Sequence, residues 1–453
     1  MSFSHRLRAA AALLLGAALL PALAEIPPSE RAVLKALYSS TDGGNWVNNT
    51  GWGVDDDSSV VCPGVALDPP IAGVTQSPWH GIQCYEDNPT THRVVTINLS
   101  DNNLSGPVPA LGNLTLLRNF IVFSTLGDGS SNLTSLPPDL ASLTSLRNFS
   151  VAGNGPGLTG TLPASFSGFT LLETFRVNHN GLTGSVPSLA GAPVLRIFLA
   201  HNNALDGTLP ANVFGAPGLP ALEEFRVSNN QLTGSLPALT GMSALKVFRA
   251  EANRLTGNLP NATLNSGVVP ALVDYEVHDN GLTGGLPTLT GLTNLMYFSV
   301  GGNQLTGTIP PINHLSSLVA YSVRYNQLTG DLPVLTGLNN LLRFRVDGNK
   351  LTGSMPATLP SGVTIFQTGS NQLTGAPPAA PASLLPGESN LCFNNLSKPY
   401  PASPAWDAAT GSTPWWRACD TTVAPVPTLS QWALILLGFV VAVMAVLRRG
   451  RRA

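Results

Sequence analysis

Val300-Gly-Gly-Asn303-Gln-Leu305-Thr-Gly307-Thr-Ile309-Pro310 returns one period later as Val323-Arg-Tyr-Asn326-Gln-Leu328-Thr-Gly330-Asp-Leu332-Pro333, and again as Val346-Asp-Gly-Asn349-Lys-Leu351-Thr-Gly353-Ser-Met355-Pro356. The asparagines stand 23 residues apart in both steps (303 to 326, 326 to 349). The same asparagine recurs at Asn102, Asn154, Asn180, Asn203, Asn230, Asn253, Asn280 and Asn371. With one irregular coil near residues 120–136, the spacing implies about twelve repeats, where a solenoid needs about three. A chain of 453 residues would otherwise suggest two or three domains. Repetition overrides that expectation, because a solenoid grows without starting a new core.

Each part of the unit has a physical task. Leu341-Leu-Arg-Phe344-Arg-Val346 alternates with period two and reads as a short strand, with Leu341, Phe344 and Val346 turned inward. Asn349 stands where the chain leaves the strand, and its amide can pair with backbone groups that the turn exposes. Stacked amides would then form a ladder. Gly353 permits a positive φ, and Pro356 holds the outer segment extended where a missing N–H is tolerable. Phe149, Phe175, Phe198, Phe225, Phe248, Tyr275, Phe298, Tyr321, Phe344 and Phe366 fall on one inward register. They read as a core column rather than a ligand platform.

The pattern Leu-x-x-Leu-x-Leu-x-x-Asn-x-Leu-Thr-Gly-x-Leu-Pro resembles the plant-type leucine-rich repeat of receptor-kinase ectodomains and polygalacturonase-inhibiting proteins, over roughly residues 28–420. The period is often one residue shorter than the family's, and Phe stands for the central Leu. The resemblance implies an α/β solenoid, predominantly β. It would be a right-handed superhelix with a concave parallel sheet, a second small sheet beside it, and disulfide-bonded caps. Ser29–Tyr38 reads as a helix with Ser29 as N-cap. Trp79-His-Gly81-Ile82-Gln-Cys84 is similar to the family's N-terminal cap motif, and Asn390-Leu391-Cys392 to the start of its C-terminal cap. The expected organisation is therefore a signal peptide (1–24), N-terminal cap (25–93), repeat array (94–390), C-terminal cap and linker (391–424) and a terminal signal (425–453).

Both ends carry export signals. Basic His5, Arg6 and Arg8 precede an apolar run from Ala9 to Leu20, and Ala22-Leu23-Ala24 offers a cleavage site. In an exported chain an even cysteine count favours disulfides. Four cysteines allow three pairings. The array between the two groups favours Cys62–Cys84 and Cys392–Cys419. At the other end, Val426-Pro427-Thr428-Leu429-Ser-Gln-Trp432 leads into apolar Ala433–Leu447 and then Arg448-Arg-Gly-Arg-Arg452. This order resembles the IPTL-type sorting signal of Gram-negative bacteria, with Val426 for the usual Ile and Ala433 for the usual Gly. The resemblance implies an exosortase-like processing enzyme as a partner, a transient inner-membrane anchor through the C-terminal helix, and delivery to the outer surface or extracellular matrix.

No catalytic set is evident, and no cofactor is expected. Only 11% of residues are charged and the net charge is −2, which argues against a nucleic-acid partner. His201 and His278 face the same side but three coils apart, about 15 Å, too far for one metal site. Asp55-Asp56-Asp57 could bind Ca²⁺, but an acidic loop is more often only solvated. Sequons at Asn98, Asn113, Asn148 and Asn261 arise from the repeat itself.

The remaining signal lies on the outward strand positions. The central column runs Asn98, Ile121, Ser150, Arg176, Leu199, Arg226, Arg249, Glu276, Ser299, Ser322, Arg345, Gln367. Thr174, Glu224, Asp274, Arg343, Glu251, His278, Arg324 and Asp347 flank it. Arg176, Arg226, Arg249, Glu276 and Arg345 are the candidate ligand-binding residues, for a protein or polysaccharide. Ion pairing across the sheet is the competing reading. An inhibitor of a secreted polysaccharide-degrading enzyme and a structural surface protein are the alternative functions.

Overall fold

The computed structural model describes residues 26–53, 74–76, 79–88, 91–124, 132–215, 218–398 and 400–419. The signal segment 1–24, Cys62, Asp55-Asp56-Asp57, part of the irregular coil near residues 120–136 and the sorting residues Pro427, Thr428, Leu429 and Trp432 lie outside them. The fold is a predominantly β solenoid of about 11 turns with little helix, and it divides into two units at Leu305 and Thr306.

In the first unit, Thr91–Asn98, Asn119–Ile121, Asn148–Ser150, Thr174–Arg176, Ile197–Leu199, Glu224–Arg226, Val247–Arg249, Asp274–Glu276 and Tyr297–Ser299 pair in sequence order as parallel strands. Most are only three residues long. A central inward aromatic is therefore flanked by two outward side chains. Phe120, Phe149, Phe175, Phe198, Phe225, Phe248, Tyr275 and Phe298 are each at most 1% exposed. Their ring centroids step by 5.3 to 5.9 Å with planes within 20°. The rings are stacked by the strand spacing, and they form the core.

The second unit repeats this plan with Ala320–Ser322, Arg343–Arg345 and Ile365–Gln367. Its rings Tyr321, Phe344 and Phe366 stack at 5.9 and 5.8 Å. Beside the main strands, short bridges form the smaller second sheet in pieces. Thr256–Asn258 pairs with Gly281–Thr283 in the first unit, and Thr308 with Thr329 in the second.

The repeat asparagine does more than stack. Asn253 Nδ2 donates to Val227 O of the preceding coil (3.0 Å) and to Ala250 O of its own (3.2 Å), while its Oδ1 accepts from Leu232 N (2.9 Å). Asn203, Asn230, Asn280 and Asn303 make the same three bonds in the first unit. Asn349, Asn371 and Asn394 make them in the second. The ladder is thus built of amides joined through backbone, not amide to amide. Asn102 turns the same chemistry on the N-terminal cap, donating to Asn48 O and accepting from Asn48 N.

The cap helix spans Pro28–Ser40, starting one residue earlier than the sequence suggests. Proline at the first helical position supplies a preset φ and lacks only an N–H that would be unsatisfied anyway, so Ser29 sits inside the first turn and caps nothing. Trp46, Trp52 and Trp79 pack in succession, at 4.9 and 4.8 Å. Gly81 has φ +77°, and a Cβ there would strike Asn98 O, so the cap motif needs glycine. Two antiparallel strands, Val74–Gln76 and Ile82–Asn88, precede the parallel run and cover its first edge.

Glu30 is fully buried, accepts from Val94 N at 2.8 Å and pairs with Arg93. Cys84 is buried and disulfide-bonded. At the other end, Trp406 of helix Pro404–Thr410 donates to Pro378 O. Cys392 is bonded to Cys419 with Cα atoms 4.7 Å apart, as expected.

Two stability predictions follow from this arrangement. Asn253→Ala removes one acceptor and two donor bonds from buried backbone groups, so it should lower unfolding free energy by about 3 kcal/mol. Urea denaturation followed by far-UV circular dichroism will measure this, and an unchanged midpoint would mean that water replaces the amide. Replacing Cys392 and Cys419 by serine should cost about 2–5 kcal/mol, with thermal melting of oxidised, reduced and double-serine protein as the check.

Candidate functional site

The outward face of the first unit brings three of the expected residues together. Strand register sets Arg226 beside Arg249, and Arg249 beside Glu276. Arg176 lies two strands away, beyond Leu199. Arg345 belongs to the second unit.

Arg226 and Arg249 stack as like charges, but each has a carboxylate of its own. Arg226 Nε lies 2.5 Å from Glu224 Oε1. Arg249 donates through Nε and a terminal nitrogen to Asp274 Oδ2 at 3.0 and 2.5 Å, and lies 3.3 Å from Glu276 Oε1. Asp274 is only 6% exposed. Burial pushes its carboxyl up from the usual range, and the Arg249 guanidinium opposes that. Burial likewise works against the charge on Arg249, but Asp274, Glu276 and Glu251 outweigh it and hold it above its ordinary value. These two arginines are therefore engaged within the sheet.

Past the strand ends a second grouping forms, which sequence reading missed. Glu251 and His278 follow Arg249 and Glu276 by two residues and so return to the same face. Ala250 N donates to Glu276 O and Ala252 N to His278 O, locking the two coils in register. Glu251, Glu276 and His278 bring one ligating atom each within 4.8 Å of the others. His278 Nε2 faces Glu276 Oε2 at 3.7 Å, and its Nδ1 donates to Asp279 Oδ2 at 2.8 Å. Partial burial draws the His278 imidazole down, but Asp279, Glu276 and Glu251 carry it up to about 9. The same imidazole holds Glu276 below its usual range. Sequence reading weighed His278 only against His201. His201 instead packs edge-on to His179 with centroids 5.2 Å apart. Burial first, then His179, Arg226 and Arg249, press it down to about 4.

The second unit presents a different surface. Arg343 and Arg345 flank Phe344, and Arg324 follows Ser322 on the neighbouring coil. Among the described residues, none of the three makes an ion pair within 4.0 Å. Burial, then Arg324 and Arg343, lower the Arg345 guanidinium from its ordinary value. The Arg324 guanidinium lies 5.5 Å from the Tyr325 ring centroid, and Tyr325 is 55% exposed. Asp347 is nearby but buried, and burial raises its carboxyl. In the first unit, Arg176 too has no ion pair among the described residues. Arg196, Glu223 and Lys246 form an exposed set of pairs off this column that contributes little.

Among the described residues no helix is long and apolar enough to cross a membrane; Ala433–Leu447 lies outside them. No curated protein matches the chain. Solved structures similar to it include the plant peptide hormone receptor RGFR1 in complex with RGF2, at 25% identity and TM-score 0.53, over 65% of this chain and 51% of that one. Another is PEPR1–AtPEP1, at 24% and 0.65, over 82% and 49%. A leucine-rich-repeat protein of Leptospira interrogans is also similar, at 22% and 0.45, over 61% and 66%. The chain spans about half the length of the two plant proteins. Residues 424–452 match the model of the IPTL-CTERM motif. The chain therefore has the leucine-rich-repeat fold of plant receptor ectodomains and carries an IPTL-CTERM sorting motif at its C-terminus.

Proposed function

We propose that the protein is an exported, non-enzymatic binding protein that recognises a protein or polysaccharide through the outward face of its repeat strands. The observation that carries this reading is the group Arg324, Tyr325, Arg343 and Arg345. Three neighbouring arginines with no ion pair within 4.0 Å among the described residues repel one another, and the fold gains little from placing them on one face. An acidic peptide or acidic sugar would use their planar donors, and exposed Tyr325 adds a rigid ring of the kind that dominates binding hot spots. Arg176 is the matching outward cation of the first unit. Arg226, Arg249 and Glu276 lie on the outward face of that first unit, with Arg249 mainly holding Asp274. RGFR1 was solved in complex with RGF2, which supports a binding use of this fold.

The tail supports export. In this reading the IPTL-CTERM segment is first held in the inner membrane, then recognised and cut by an exosortase-like enzyme. The mature protein is then delivered to the outer surface or matrix of a Gram-negative cell.

Retention of ligands by the immobilised ectodomain, from a glycan array and from the secretome of the native host, will test the binding proposal. Arg345→Ala should weaken the retained interaction about tenfold, or ~1.4 kcal/mol, at unchanged stability. Arg249→Ala should instead lower stability by about 2 kcal/mol, because it strands the buried Asp274 carboxylate. Equal affinity of wild type and Arg345→Ala for every retained ligand would move the binding site off this face. For the tail, intact-mass measurement on protein from the native host should find a chain ending near Val426. Full retention of Trp432–Ala453 would reduce the segment to an ordinary anchor.

A further inference from the structure

We infer that Glu251, Glu276 and His278 form a binding site for one divalent transition-metal ion of the zinc class. An imidazole and two carboxylates are a donor set suited to zinc, which binds nitrogen and oxygen ligands and keeps a fourth position for water or a ligand group. Tetrahedral coordination at about 2.1 Å sets donor atoms about 3.4 Å apart. His278 Nε2 and Glu276 Oε2 already stand at 3.7 Å, and all three donors fall within 4.8 Å. Rotation of the two flexible glutamate side chains covers the difference.

The donors are also oriented from behind. Asp279 accepts from Nδ1 of His278, so the ring turns Nε2 toward the carboxylates, where a metal ion would take the place of the Nε2 proton. Arg249 engages Glu276 through Oε1, leaving Oε2 toward the imidazole. Glu251 Oε2 is shielded from solvent and accepts no hydrogen bond. A buried carboxylate oxygen without a donor is costly, and a cation beside it removes that cost. The surroundings are acidic as well. Among the described residues, the five carboxylates of Glu224, Glu251, Asp274, Glu276 and Asp279 stand against two guanidinium groups, Arg226 and Arg249, and the His278 imidazole. This site does not depend on whether the sheet face also binds a macromolecule.

The test is calorimetric titration of the untagged full chain, stripped with a chelator, with Zn²⁺ alone. We expect one equivalent bound per chain. Glu251→Gln and His278→Ala should each weaken it by at least about tenfold, and Asp279→Asn, acting only through His278, by about 10–100-fold. Melting curves of each variant without metal separate loss of binding from loss of fold, and Glu251→Gln decides if His278→Ala melts early. His179→Ala with His201→Ala, a histidine pair outside the site, should leave the affinity unchanged. No binding by the wild type would overturn the assignment. So would unchanged binding in folded Glu251→Gln, or loss of binding only in the His179/His201 variant.

Discussion

One side-chain amide per coil holds each unit in register. A strand of three residues makes few ladder bonds, and the turn after it leaves carbonyls of two successive coils pointing into the core. Burying such groups unpaired would cost more than a short strand returns. The repeat asparagine answers both coils at once, because its amide nitrogen has two protons to donate and its oxygen remains free to accept. From Asn203 to Asn303 in one unit, and from Asn349 to Asn394 in the other, the same three bonds recur. No other side chain of that size offers two donors and an acceptor, so substitution by Asp or Leu would break the pattern in different ways.

The aromatic column depends on that register. Rings stacked at 5.3 to 5.9 Å keep contact only while successive strands remain aligned. The ends of the array need other solutions, since a terminal coil has a neighbour on one side only. The N-terminal cap covers its edge with antiparallel strands and a cluster of tryptophans, and the C-terminal cap uses Trp406 and the Cys392–Cys419 bond. Asn102 shows the two devices merging, for it uses the repeat's hydrogen-bonding chemistry to hold cap residue Asn48.

The outward face is where the two units differ in chemistry. In the first, Arg226 and Arg249 are matched by carboxylates of their own or the neighbouring strand, and Asp274 is drawn into the sheet by Arg249. Past the strand ends the acids outnumber the bases, and His278 is held among them. In the second, Arg324, Arg343 and Arg345 stand together with no ion pair within 4.0 Å among the described residues. A chain with 11% charged residues thus gathers an acid-rich group in one unit and a group of arginines in the other. Neither is a consequence of the repeat, whose consensus positions carry no charge.

The fold was legible in the sequence because its determinants are local and periodic. Spacing of Asn, Leu, Gly and Pro at 23 residues names the coil, and alternation about Phe344 separates inside from outside without any tertiary information. The cysteine groups flanking the array likewise pointed to the Cys392–Cys419 bond. The site was only half legible. Register placed Arg226, Arg249, Glu276 and His278 on one face. It could not say that Arg249 would bend toward Asp274 rather than toward solvent, or that Glu251 and His278 would converge with Glu276. Those outcomes depend on rotamers of long side chains choosing among several partners on adjacent coils. That choice turns on distances of an ångström or two, on partial burial and on the summed field, and these exist only once the coils are stacked.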